Sequence, residues 1–362
     1  MSSVPVFVGI DYHQDSVQVC VLDSDGKRLA NRSVRNNAAA VAEVATRHGE
    51  PVRLAVEACC GAADLADELI ALHKLPVQLA HPGYVARLKR SPDKTDSSDA
   101  GLLADLSRVN YVPTVWLAPE GTRQLRRLVR HRTQLVRRRR DLKLRIRGLL
   151  RENRLSCEAA RPWRKAWLAW LQTEAKLSAQ DRWIADDHLL ELAALGKRIA
   201  AVEARIAEAT ADDPLVARLM EYAGVGLITA VTLRAEIGRF DRFANGKQAA
   251  RFCGLTPQNA SSGARQADAG LIRAGNPELR AVLIELAHRL IHRIPGRWAD
   301  LAYGMLARDK PKNVVVCAVA NRWVRWVYHD LKQPASSQST SARARQKGPP
   351  LPPSPSLGLS EG

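Results

Sequence analysis

The sequence predicts a fold of the α/β plus all-α kind, and three observations predict it. Strand-like runs fill the first residues, and strand–helix alternation follows from about residue 52. A basic stretch beginning near residue 120 carries leucines seven apart. From about residue 214 the apolar residues keep helical spacing up to residue 330. Strands followed by strand–helix alternation indicate a mixed α/β domain over residues 4–115. Heptad spacing indicates paired helices.

Taken in order, "VPVFVGIDYHQDSVQVCVLDSDGKRLA" (4–30) reads as two strands joined near Asp25-Gly26, a strong hairpin signal. "VRLAVEA" (52–58) is a short β-branched run and hence a buried strand, followed by a helix over about 62–74 and a strand at "LPVQLA" (75–80). "PGYVARLK" has helical character, and another helix should begin between Thr95 and Asp99 and end near Val109. Leu128, Leu135, Leu142 and Leu149, with Leu125 and Ile146 beside them, form one apolar seam. Leu192, Leu195, Ile199, Val202 and Ile206 form a partner seam, so residues 120–210 read as an antiparallel, coiled-coil-like helical arm. Residues 214–330 form a third, mostly helical domain, in which Gly224-Val225-Gly226 separates two apolar helical stretches as a helix–hairpin–helix element would. Long helices are expected at 276–293 and 312–330. The Ser-, Pro- and Gly-rich stretch 333–362 lacks the apolar content of a packed core and reads as a disordered tail.

Composition narrows the function. The net charge is +18, and residues 121–155 alone hold 14 Lys/Arg against two acids, Asp141 and Glu152. Positive charge concentrated in this way suits a polyanionic partner, nucleic acid before membrane. No apolar run reaches the roughly 18 residues needed to span a bilayer. The six cysteines show no CxxC or Cys/His spacing, which argues against a zinc centre or disulfide framework and favours a reducing cytoplasm. The opening "MSSVPVFVGIDYH" has no signal-peptide pattern.

The carboxylates carry the chemistry. Asp11 ends the apolar run "VFVGID" and Glu57 ends "RLAVE". A charge at the edge of an apolar strand must be solvated, paired or metal-bound, because burying it alone is costly. In "SPDKTDSSDAGLLADL", Asp93, Asp96 and Asp99 recur every three residues. Helical positions i and i+3 lie about 5–6 Å apart, so Asp96 and Asp99 can converge on a shared ion. Helix capping accounts for one or two of the three and takes Asp93. Asp105 belongs to another helix face, and His13 reads as a lone surface histidine. Four acids from two strands and a helix suit two Mg²⁺ ions in phosphoryl transfer, since magnesium selects hard oxygen ligands.

"GIDYHQDSVQVCVLD", "AVEACCG" and "KTDSSDAGLLADL" resemble the RuvC-like, RNase H-fold half of the DEDD insertion-sequence transposases, a family that includes recombinases guided by a bridge RNA. The stretch from "GVGLITAVTLRAEIGRF" to "NPELRAVLIELA" resembles that family's C-terminal transposase domain. The resemblance implies a metal-binding tetrad at Asp11, Glu57, Asp96 and Asp99. It also implies a serine nucleophile at Ser262, before Gly263, with Ser261 as the adjacent alternative. It further implies donor and target DNA and a guide RNA as partners, a homo-oligomer with active sites shared between subunits, and a bacterial cytoplasm near the nucleoid. A metal-dependent junction resolvase or nuclease using water is the alternative activity.

For nucleic-acid contact the sequence offers Arg137, Arg138, Arg139, Arg140, Lys143, Arg145 and Arg147 in the arm. Arg265, Arg273 and Arg280 lie in the third domain. Trp163 is a stacking candidate, although Trp163, Trp167 and Trp170 together are a more ordinary core set.

Overall fold

Residues 5–35 form an antiparallel meander of three strands: β1 (Pro5–Tyr12), β2 (Ser16–Leu22) and β3 (Arg28–Arg35). The expected pair of strands is therefore a triplet. The turn at Asp25-Gly26 does make a hairpin, with Gly26 at φ +84° and Asp23 Oδ1 accepting from the Asp25 and Lys27 amides. It joins β2 to β3, however, and a second reversal at residues 13–15 divides what reads as one long strand. The computed structural model describes residues 4–88, 95–259 and 268–332, and the chain divides into two compact units, Met1–Pro119 and Glu120–Gly362.

In the first unit, α1 (Ala38–Thr46) leads to β4 (Glu50–Glu57), α2 (Ala62–His73), β5 (Val77–Ala80), α3 (Pro82–Leu88), α4 (Asp96–Arg108) and β6 (Thr114–Val115). The strands lie in the order β3-β2-β1-β4-β5-β6. Strand β1 is antiparallel to β2 and parallel to β4, which is parallel to β5. One face of the sheet carries Val6, Val8, Ile10, Val19, Leu54 and Val56, all inaccessible to solvent and packed with Val41, Leu65 and Leu69 of α1 and α2. The other face receives α4, and Gly9 is why it can. A Cβ at residue 9 would sit 2.1 Å from the Ala100 carbonyl oxygen and 2.2 Å from the Ala104 nitrogen. Side chains alternate along a strand, so the face that holds Gly9 and Ala55 also holds Asp11 and Glu57.

The second unit opens with α5 (Glu120–Glu152), followed by α6 (Lys165–Thr173) and α7 (Ala179–Ala209). Helices α5 and α7 pack antiparallel, as three contacts in reverse order show. Ile146 and Leu150 meet Leu189 and Leu192, Leu135 and Leu142 meet Leu195 and Ile199, and Leu125 and Val129 share a cluster with Ile206. The seam departs from the strict heptad at its end, where Leu150 is buried and Leu149 only half-buried. Trp167 is 3% exposed and packs between Trp163 and Trp170, so the tryptophans are a core cluster.

Helices α8 (Pro214–Met220), α9 (Leu227–Ile237) and α10 (Gly246–Phe252) follow. A short hairpin, β7 (Pro257–Asn259) and β8 (Asp268–Leu271), then precedes α11 (Pro277–His292), α12 (Arg297–Leu306) and α13 (Lys312–Lys332). Their core, including Leu219, Val231, Leu283, Val319 and Trp323, also takes in Leu125 and Val129, so the start of α5 belongs to it. The Gly224–Gly226 turn joins α8 to α9, with Gly224 at φ +79°. Arg289 pins it by donating to the Gly224 carbonyl and to Thr229 Oγ1.

Candidate active site

Sheet register brings the first two carboxylates together. The last printed parallel pair between β1 and β4 is Ile10 with Val56. One residue further along each strand come Asp11 and Glu57, side by side at the carboxyl edge.

Helix α4 supplies the third and fourth. Thr95 caps it, accepting from the Ser98 amide at 3.1 Å while Ser98 Oγ accepts from the Thr95 amide at 3.3 Å. This reciprocal cap places Asp96 and Asp99 in the first turn, where the helix dipole favours negative charge. The same turn is tied to the sheet through Asn31, whose Nδ2 donates to the Ser97 carbonyl at 3.0 Å and to Ser97 Oγ at 2.8 Å. Gln18, directly opposite Asp11 on β2, holds Asn31 Oδ1 at 2.5 Å.

Asp11 and Asp96 converge, and His13 joins them. His13 Nε2 lies 3.3 Å from Asp11 Oδ2 and 3.2 Å from Asp96 Oδ1. One ligand atom from each of the three residues falls within 4.8 Å of the others. Asp99 is 6% exposed and acts electrostatically on Asp11. Glu57 stands outside the three-residue group, one strand over. His13 is thus more than the lone surface histidine read from the sequence: its side chain is 46% exposed, yet it bridges two of the candidate ligands. Its spacing of two from Asp11 is a weak signal, because the bridge depends on the turn at 13–15.

Burial is the main reason that the Asp11 carboxyl is held above its ordinary value; His13 pulls it down, and Asp99 and Asp96 push it up. Its Oδ2 is buried without a hydrogen-bond partner, His13 being close but off hydrogen-bond alignment. A buried, unsatisfied carboxylate oxygen is costly, and a cation is what would relieve it. The surrounding donors are mostly carboxylate oxygens, which fits a hard divalent ion.

The remaining candidates are dispersed. Asp93, Ser261, Ser262 and Arg265 lie outside the described residues. Asp105 pairs with Arg108 at 2.6 Å, away from the cluster. On α5, Arg137 pairs with Glu278 at 2.6 Å, Arg138 with Glu191 at 3.8 Å and Arg140 with Asp141 at 3.3 Å. Such half-exposed pairs are worth about 0–1 kcal/mol, so phosphates can replace them cheaply. Arg145, Arg147 and Arg273 are exposed and Arg139 is half-buried. Lys143 lies 4.8 Å over the Trp163 ring, and burial, then Arg139, push its pKa down. Arg280, read from the sequence as a phosphate contact, spends Nε on the Gly254 carbonyl at 3.0 Å and Nη2 on the Ile272 carbonyl at 2.8 Å. These bonds staple the root of the β7–β8 hairpin, a role that only tertiary contacts reveal.

The fold and site define a class: an α/β protein that gathers carboxylates at the carboxyl edge of a mixed sheet, joined to a basic helical portion. Residues 8–154 match the transposase model DEDD_Tnp_IS110, and residues 216–303 match that of the "Transposase IS116/IS110/IS902 family". A "Probable family 20 transposase" of Pseudomonas aeruginosa is 30% identical over 332 residues, covering 88% of this chain and 94% of the relative. The transposase for insertion sequence element IS1111A of Coxiella burnetii is 27% identical, over 87% of this chain and 86% of its own. That for IS1328 of Yersinia enterocolitica is 28% identical, over 76% and 83%. The chain belongs to the IS110 family of insertion-sequence transposases, enzymes that cleave and transfer DNA strands.

Proposed function

We propose that this transposase exchanges DNA strands through a covalent Ser262–DNA intermediate, with Mg²⁺ at the carboxylate edge and a bridge RNA selecting the DNA. The observation that carries the metal is the buried Oδ2 of Asp11, without an aligned hydrogen bond, gathered with Asp96 and His13. Asp11, Glu57, Asp96 and Asp99 would hold the ions, two per site, and when bound these supply Lewis acidity at phosphodiester oxygens. Asp11 and Glu57 are held by paired strands, and Asp96 and Asp99 by a capped helix tied to the sheet, so little rearrangement precedes chemistry.

The Ser262 hydroxyl attacks phosphorus: an Oγ–P bond forms, a P–O bond to the DNA breaks, and the serine proton ends on the departing DNA hydroxyl. One phosphodiester replaces another, so the link can be reversed onto a new strand. An unactivated serine is a poor nucleophile, which is why the carboxylate site must serve it. The basic face of α5 supports RNA and DNA contact through phosphates. Both DNA partners, the guide RNA and further copies of the chain complete the assembly in this reading.

Labelled DNA from a reaction, denatured and resolved with the protein, tests the mechanism. A protein-linked DNA species is expected for the natural chain and none for Ser262→Ala. Cleavage that persists undiminished in Ser262→Ala would sink the serine route and favour hydrolysis by water. Full strand exchange by protein stripped of RNA would refute the guide.

A further inference from the structure

The carboxyl edge of the sheet does not end at Glu57. Ala80 of β5 pairs with Glu57, and His81 follows. His81 donates its amide to the Pro113 carbonyl at 2.8 Å, and the Gly83 amide donates to its Nδ1 at 3.1 Å. That bond makes Nδ1 an acceptor and fixes the ring. Helix α3 is nailed down by Val85, 1% exposed among Ala55, Ala80 and Leu103. Its neighbour Tyr84 is 48% exposed. The Tyr84 ring meets His81 edge-on, centroids 4.8 Å apart, and the Arg87 guanidinium lies 5.6 Å from the Tyr84 centroid.

A single exposed aromatic needs no explanation. This one is braced by a fixed imidazole, flanked by a cation, and set on α3, the helix that follows the strand beside a site that must receive a phosphodiester. Strands lie about 4.8 Å apart, so β5 ends about 10 Å from Asp11 across β4.

We propose that His81, Tyr84 and Arg87 form a stacking subsite for an unpaired base of the DNA strand that enters the carboxylate edge, with Arg87 meeting its phosphate. The proposal rests on the reading of that edge as the cleavage site. Every base has a π-face, so the subsite positions the strand without reading its sequence. Tyr84 touches substrate here but no reacting atom.

The test uses the full chain as purified, with any RNA it carries, in chelator so that no strand is cut. DNA carrying 2-aminopurine at each of the four positions flanking the cleavage point is titrated with protein. Quenching confined to one or two positions is expected, lost in Tyr84→Ala and kept in Tyr84→Phe and Tyr84→Trp. Tyr84→Ala should weaken DNA binding about 5- to 150-fold. The proposal is overturned if no position is quenched, if Tyr84→Ala quenches like the natural chain, or if Tyr84→Phe fails as badly as Tyr84→Ala. It is equally overturned if only 2-aminopurine placed in the RNA responds. Because the readout needs neither cleavage nor Ser262, an absent serine adduct with intact quenching would defeat the mechanism above and leave this subsite standing.

Discussion

Each unit holds a carboxylate with a buried oxygen, Asp11 in the first and Glu236 in the second, and the two are treated in opposite ways. Glu236 of α9 is 2% exposed and fully engaged. Arg130 grips it with two bonds of 2.8 and 3.0 Å, and Asn276 donates to it at 2.8 Å. Arg126 stands 3.6 Å away and bonds the adjacent Ala235 carbonyl. Asp11 of β1 has a side chain 13% exposed, two further aspartates nearby, and an oxygen with no hydrogen bond. The bond to Glu236 holds Arg130 above its ordinary pKa, whereas burial raises that of Asp11. The lesson is that a satisfied buried charge joins parts of a fold, here the start of α5 to α9 and the cap of α11. An unsatisfied one costs stability and persists because something else binds there.

That contrast can be broken by substitution. The largest effect is expected for Glu236→Ala, which strands Arg130 and Asn276 and should cost about 3–5 kcal/mol. Chemical denaturation would read it, and a loss under about 1 kcal/mol would make Glu236 as dispensable as a surface ion pair. Asp11→Asn should do the reverse: strand cleavage falls on the order of 10²–10³-fold, about 3–4 kcal/mol, by analogy with removing one preorganised electrostatic group. Its stability should hold or rise, since the substitution removes a charge that burial disfavours. Normal cleavage by Asp11→Asn at saturating magnesium would separate the orphaned oxygen from function. The smallest effect is expected for Thr95→Ala, about 1 kcal/mol of stability through the lost cap. A metal titration would then show weakened ion binding as the first turn of α4 loosens; unchanged binding would mean that Asn31 alone holds that turn.

Much of this was legible in the chain. Asp11 and Glu57 could be named because each follows an apolar, β-branched run, and a charge there must be accounted for. Asp96 and Asp99 were legible from their spacing and the apolar helix that follows. The antiparallel seams of α5 and α7 followed from leucine periodicity. The reversal at 13–15 was not legible, because His13, Gln14 and Asp15 carry no Gly-Asn turn chemistry. The bridge made by His13 was lost with it. The structural part played by Arg280 was hidden for a different reason: its bonds to the Gly254 and Ile272 carbonyls join residues that only the fold brings together.

By itself, then, the amino-acid order determined the main strand runs and the long helices, which side chains are charged at their ends, and that a basic helix follows an acidic-edged domain. Local periodicity and the cost of burying charge operate between near neighbours, so a linear reading can recover them. Only the tertiary structure decided that β1 and β4 lie adjacent and in register, that Gly9 admits α4 against the sheet, and that His13 rather than Glu57 stands between Asp11 and Asp96. Those outcomes depend on close approach between residues some 40 to 90 positions apart, and packing at that range leaves no mark in the spacing of any single segment.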